Sequence, residues 1–389
     1  MWSLSWSRSE PLGSTDRNIE KGLANLIASG SSYGKIIFKR LTVSGSSFGL
    51  LLPNGMRGGF IVRVFPAIAI ALSIALAVPS YADQTAEEIL KGIVKVRSVI
   101  PKDARTASTL GTEREGHGVL IDSKGHILTI GYLIVEAETI EVTGPDGKAI
   151  NATFVGYDHS TGFGLVRAEK PLGAEPITLG ESAKTKEGDP VLVAGYGGAD
   201  SVQLARVIAR KEFAGYWEYL LEEAIFTAPP YANFGGAALI DRDGQLVGIG
   251  SLFTQVVIRG VGSIPANMFV PVDLLKPILA DLITLGRSRE APRPWLGVNA
   301  EESHGHVFVT QVTSGGPAEG AGLQTDDLIL KVGGKGVSGL ADFYRKVWGL
   351  GKAGVDVPIT VLRGADIREI KVHSADRHQF LLLKPKRVL

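Results

Sequence analysis

The chain has 389 residues, with 41 Lys and Arg against 40 Asp and Glu and no cysteine. Such a length holds two or three ordinary domains, and the balanced charge offers neither a basic footprint for nucleic acid nor an acidic tail. Without cysteine, disulfides, thiolate metal ligands and a cysteine nucleophile are excluded together.

Residues 1–55 are serine-rich and non-periodic, and read as a non-native or disordered extension with translation starting at Met56. Residues 56–82 follow the order of an export signal: Arg57 and Arg63, an apolar run over 65–78 broken only by Ser73, then Ser80-Tyr81-Ala82 as the cleavage region. The run is short for a bilayer. The expectation is therefore cleavage after Ala82, a periplasmic or envelope-associated protein, and no stable membrane span after processing. An uncleaved anchor or a buried helix is the competing reading.

From 83 to 285 β signals dominate. Residues 87–100 begin with helical spacing and continue as alternating Ile and Val. Short Val/Ile/Leu runs then alternate with Gly, Asp-Gly and Lys-Gly turns, the pattern of a barrel or sandwich. GVLIDSKGHILTIG (118–131) and AALIDRDGQLVGIG (237–250) share Leu-Ile-Asp, a turn ending in Gly and an apolar return. Each predicts a β-hairpin, and the pair is what two similar barrels would produce. A helix is expected from near Asp273, with Leu274, Leu275, Ile278, Leu279, Leu282 and Ile283 as its apolar stripe, Pro277 near its first turn and Gly286 as its stop. Residues 286–294 read as a linker, 295–375 as a compact α/β domain and 376–389 as a tail.

PWLGV (294–298), SGGPAEGAGLQTDDLILKVGGKGV (314–337), a helix over 340–348 and VPITVLR (357–363) resemble successive parts of a PDZ domain, with Asp326 where Gly is usual. Together with the paired hairpins they make the chain similar to the HtrA-type family of exported serine proteases. The resemblance covers residues 86–375 and implies a mainly β fold: a trypsin-like double β-barrel, then an α/β PDZ domain. It also assigns roles. Tyr132 stands where the family has its general-base histidine, Gly162 where it has the orienting aspartate, and Phe234 where it has the nucleophilic serine. Ala232 stands at the glycine whose N–H would face the oxyanion. Phenylalanine offers no nucleophile, and a phenol of pKa ~10 is a poor base at neutral pH.

Could the catalyst have moved? The barrel region holds only His117, His126 and His159, which read as turn or surface residues and lack metal-ligand spacing. A site rebuilt from His159 with Ser160 or Ser251 is the enzyme alternative, although neighbours in an extended chain face opposite ways. No metal or cofactor is implied. The rings of Tyr132 and Phe234 are expected to meet and pack the old cleft.

The resemblance implies that the PDZ segment binds extended peptides or protein C-termini. The N–H groups of Trp295, Leu296, Gly297 and Val298 would receive a terminal carboxylate, and Leu340, Phe343 and Val347 would line a side-chain pocket. Plain core packing explains the same i, i+3, i+7 spacing. The expected function is an inactive protease homologue acting as adaptor, holdase or protease regulator. The alternatives are an active endopeptidase with a displaced site and a structural assembly component. The family's trimer relies on aromatic residues ahead of the first barrel, and residues 83–111 have none, so a homo-oligomer stays open.

Overall fold

A computed structural model describes residues 85–381 and 383; the expected extension, export signal and cleavage point lie outside the described residues. Helix α1 (Ala86–Lys91) leads into β1 (Ile93–Val99), where Val94 and Val96 face inward and Arg97 and Val99 outward. β1 closes a six-stranded barrel with β2 (Glu113–Leu120), β3 (His126–Ile130), β4 (Thr139–Thr143), β5 (Ala149–Tyr157) and β6 (Phe163–Ala168), in the order β1-β2-β3-β6-β5-β4. The short helix α2 (Ala107–Leu110) lies between β1 and β2. A second closed barrel follows: β7 (Pro190–Ala194), β8 (Val202–Gly215), β9 (Tyr219–Ala228), β10 (Ala238–Ile240), β11 (Leu246–Ile258) and β12 (Gly262–Pro271), ordered β10-β11-β12-β9-β8-β7. Closure leaves neither barrel an open sheet edge.

The two matching sequence stretches form β2–β3 and β10–β11, and their turns are built alike. The Asp122 carboxylate accepts from the N–H of Lys124 and His126, and the Asp241 carboxylate from Asp243 and Gln245. The glycines that follow, Gly125 and Gly244, have φ of 84° and 77°, a conformation that a side chain disfavours.

The expected helix from Asp273 is shorter than its apolar stripe. A 3-10 turn (Val272–Leu274) precedes α3 (Leu279–Leu285), which Gly286 ends at φ 75°. Pro277 falls in the turns between them. Leu274 and Ile283 are exposed, while Leu275 and Leu282 are buried, so the stripe spans two elements of different orientation.

The third unit is a sheet in the order β13-β14-β15-β17-β18: β13 (Val298–Ser303), β14 (His306–Val312), β15 (Leu328–Val332), with β16 (Lys335–Gly336) beside it, β17 (Asp356–Arg363) and β18 (Asp366–His373). Helices α4 (Pro317–Gly320) and α5 (Leu340–Trp348) complete it. Asp326 takes φ 71°. This explains why glycine suits that turn and why aspartate, which tolerates left-handed backbone, can replace it. Helix α6 (Arg377–Phe380) packs back on the first barrel, with His378 Nε2 bonded to the Tyr157 carbonyl at 2.8 Å.

Candidate functional site

The three triad-matched positions converge where the barrels meet. Gly131 N–H donates to the Gly162 carbonyl at 2.7 Å, which sets Tyr132 beside Gly162. The Tyr132 hydroxyl lies against Gly235, next to Phe234, and donates to the Ser251 carbonyl at 3.0 Å. Buried Arg114 locks this turn from behind, donating to the carbonyls of Tyr132 (2.8 Å) and Val135 (3.0 Å). Burial lowers the Arg114 pKa to about 10, so it stays charged at neutral pH. Burial raises the Tyr132 phenol well above its ordinary range, which keeps it a donor rather than a base.

The expected ring pairing is not found. Among the described residues no ring pair joins Tyr132 to Phe234. Bonding to Ser251 directs the phenol along the barrel seam instead. The cleft is correspondingly open: a cavity of about 710 Å³ is lined by Arg105, Tyr132, Gly162, Trp217, Ser251 and Gln311, among others. Ala232 sits on an exposed turn without the positive φ that Glu136, Glu218, His304 and Asp326 adopt.

The histidines are not surface residues. His117 and His126 are buried and His159 is half-buried. His117 N–H donates to Gly235 at 2.8 Å, and its Nδ1 accepts from Tyr196 N–H at 3.0 Å. It therefore ties β2 to two loops of the second barrel. His126 is bound by the Asp122 carboxylate at 2.6 Å. His159 Nε2 lies 2.7 Å from the Arg377 guanidinium, a group that only donates. Nε2 also lies 3.2 Å from the Glu218 carbonyl, a group that only accepts, and Nδ1 lies 3.1 Å from Tyr157 Oη. Burial, then the Arg377 charge, hold this imidazole well below its ordinary pKa. Both ring nitrogens are thus already engaged. Among the described residues the only serine hydroxyl bonded to a histidine is Ser303, on its exposed neighbour His304.

The PDZ turn holds the feature that sequence reading missed. The carboxylate of Glu218, from the β8–β9 tip, accepts three amides: Leu296 (2.9 Å), Gly297 (2.7 Å) and Val298 (3.1 Å). Gly297 has φ 80°, which helps turn successive N–H groups toward one point. Trp295 does not join them. Its N–H pairs with the Ala375 carbonyl at 3.0 Å, so the expected four-residue cradle is a three-residue one. Further along β13, Ala300 N–H donates to the Tyr216 carbonyl at 2.8 Å. Leu340, Phe343 and Val347 are buried in the PDZ core, and Leu220 of β9 is buried in the same cluster. Tyr344 closes the arrangement: its hydroxyl donates to the Gly215 carbonyl at 2.8 Å and accepts Glu218 N–H at 3.2 Å.

A trypsin-like peptidase domain profile matches residues 116–249 and a PDZ domain profile residues 294–373. The chain is 28% identical over 277 residues to a probable periplasmic serine protease do/HhoA-like of Haemophilus influenzae, covering 66% of this chain and 57% of that protein. It is 26% identical over 272 residues to the periplasmic pH-dependent serine endoprotease DegQ of Escherichia coli, covering 66% and 58%. Its relatives are HtrA-type serine proteases. The chain thus spans less than two thirds of the length of these relatives. Among solved structures, the HtrA-type protease AlgW with tripeptide superposes at TM-score 0.45 and 22% identity, over 76% of this chain and 97% of that one.

Against this HtrA-type background, no motif marked Glu218 or Tyr344. Glu218 lies in GYWEYLLEE (215–223), three of whose residues are glutamates, and only the docking of the hairpin distinguishes one from the others. Tyr344 reads as one more apolar position of an amphipathic helix.

Proposed function

We propose that this chain is a catalytically inactive relative of the HtrA-type proteases that binds extended peptide segments or C-termini of exported proteins, as adaptor, holdase or protease regulator. The observation that carries this reading is Tyr132. At the position that the resemblance assigns to the general base stands a half-buried phenol donating to the Ser251 carbonyl. Acyl transfer by the serine-protease route requires an oxygen nucleophile with a base in reach, and Phe234 and Gly162 supply neither nucleophile nor orienting carboxylate. The three-amide turn beside β13 is suited to a carboxylate, and the groove between β13 and α5 to an extended strand. A periplasmic setting is supported by the periplasmic proteases it resembles and by the charged–apolar–small pattern of 56–82.

The test is fluorophosphonate labelling and casein turnover on the purified full chain, beside an active HtrA-type protease. Neither labelling nor turnover is expected. Labelling that persists in Phe234→Ala and disappears in Ser160→Ala or Ser251→Ala would establish a displaced active site and overturn the reading.

A further inference from the structure

The groove that would receive a peptide already contains a piece of this chain. The hairpin tip runs from Tyr216, bonded at Ala300, to Glu218, bonded at residues 296–298. It therefore travels antiparallel to β13 and toward the three-amide turn, in the direction in which an added strand would bring its terminal carboxylate there. The Glu218 side-chain carboxylate stands where that terminal group would stand. The amides of Val298 and Ala300, which point away from β14, are both taken. Leu220 is buried in the same core cluster as Leu296, Leu340, Phe343 and Val347, and Arg345 of α5 pairs with Glu212 and Glu222 on the two strands behind the tip. Glu218 does this at φ 58°, a backbone conformation that a glutamate adopts only when its surroundings impose it.

We propose that the β8–β9 tip is an internal ligand of the PDZ domain, with Glu218 as its substitute C-terminus, and that an incoming peptide with a free carboxylate binds by displacing it. The proposal rests on the peptide-binding reading above for its second half only. Occupancy by the hairpin lowers apparent affinity by the fraction of molecules in which the groove is free. A peptide carboxylate and the Glu218 carboxylate compete for the same three amides, so only one can be bound at a time. Binding then frees the β8–β9 tip from α5, which would transmit groove occupancy to the second barrel.

Two measurements on the full chain separate the halves. The first is amide hydrogen exchange at residues 296–298 and 300 in the wild type and in Glu218→Gly, a variant whose new residue suits the observed φ and removes only the side chain. Exchange is expected to be slow in the wild type and at least about tenfold faster in the variant, with the barrel amides unchanged. Glu218→Gln, which keeps an acceptor oxygen, should fall between. Equal exchange at these amides in the wild type and Glu218→Gly would overturn the internal ligand. The second is fluorescence polarisation with labelled peptides ending in Val, Leu or Phe, each with a free or amidated terminus. Glu218→Gly should bind the free-carboxylate peptides about tenfold tighter or better, and amidated ones no better than the wild type does. Equal affinity of the two proteins would overturn the displacement step. Freed amides with no peptide bound by either protein would leave the internal ligand standing and overturn the peptide-binding reading instead.

Discussion

A carboxylate accepting three main-chain amides is ordinarily a strong acid, yet burial pushes Glu218 up to about 7, against the lowering pull of those amides and of Arg377. The Arg377 guanidinium acts on it through its charge, while the Tyr344 hydroxyl and His159 Nε2 meet its own backbone N–H and carbonyl at 3.2 Å each. The sign follows from linkage. A glutamate free in solution titrates near ~4.3, so the docked side chain binds its proton more tightly than the released one. Its titration therefore contributes stability that is present in full below pH ~4.3 and is lost as pH climbs through about 7. Urea midpoints of the wild type compared with Glu218→Gln across pH 5 to 8 should show the wild type losing ground; a constant difference would contradict the shift. A second residue-scale prediction concerns Gly162. Its φ is 82°, and an added Cβ would lie 3.2 Å from the Tyr219 hydroxyl, which itself donates to the Thr161 carbonyl at 2.5 Å. Gly162→Asp should thus cost roughly 1–3 kcal/mol in strain, readable as a lowered urea midpoint. An aspartate at this position is therefore not neutral, because the backbone holds a positive φ that favours glycine.

At the scale of elements, α5 is held to the β8–β9 hairpin by two kinds of contact, and they should differ in weight. Tyr344→Phe leaves the buried Gly215 carbonyl and Glu218 N–H without the hydroxyl they share, at a cost of about 1–3 kcal/mol. Arg345→Ala removes ion pairs on an exposed surface and should cost under ~1 kcal/mol. Denaturation of both variants tests the ranking, and equal effects would contradict it. These same elements divide what was legible in the sequence from what was not. The paired hairpins were legible because local chemistry dictates them: an Asp that caps its own turn, a glycine with positive φ and alternating apolar residues. Helix α5 was legible by its periodicity. The stripe from Leu274 to Ile283 misled, since periodicity cannot register a break at Pro277 where the chain changes from a 3-10 turn to α3. The role of Glu218 was beyond reach for a different reason. It depends on which hairpin a separate domain docks upon, a contact spanning 78 to 80 residues of sequence with no local signature. The resemblance pointed to Tyr132, but gave no sign of its bond to Ser251, 119 residues away.

At the scale of the whole molecule, the segment after β18 acts as a clasp across the barrel–PDZ junction. Arg377 donates to the Trp217 carbonyl at 3.0 Å and lies 2.7 Å from His159 Nε2, reaching the hairpin tip and the turn after β5 together. Phe380 lies against Trp295, with ring centroids 4.6 Å apart, while Arg105 covers its ring at 4.6 Å. Asp376 pairs with Arg287, inside the 286–294 segment, at 2.8 Å. Each contact joins parts that the linker alone would leave free to separate, and none belongs to the cores of the barrels or of the PDZ sheet. Removal of residues 376–389 should therefore leave each folding unit intact but weaken their docking. The expected result is faster proteolysis within residues 286–294 and faster exchange at residues 296–298, with the barrel amides still protected. The truncated chain should also bind carboxylate-ended peptides more tightly than the full chain, because part of what holds the Glu218 tip in the groove has gone. If truncation instead melted the first barrel, the segment would be part of that barrel's fold rather than a clasp. If exchange at 296–298 stayed as slow as in the full chain, the hairpin and α5 alone would account for the docking.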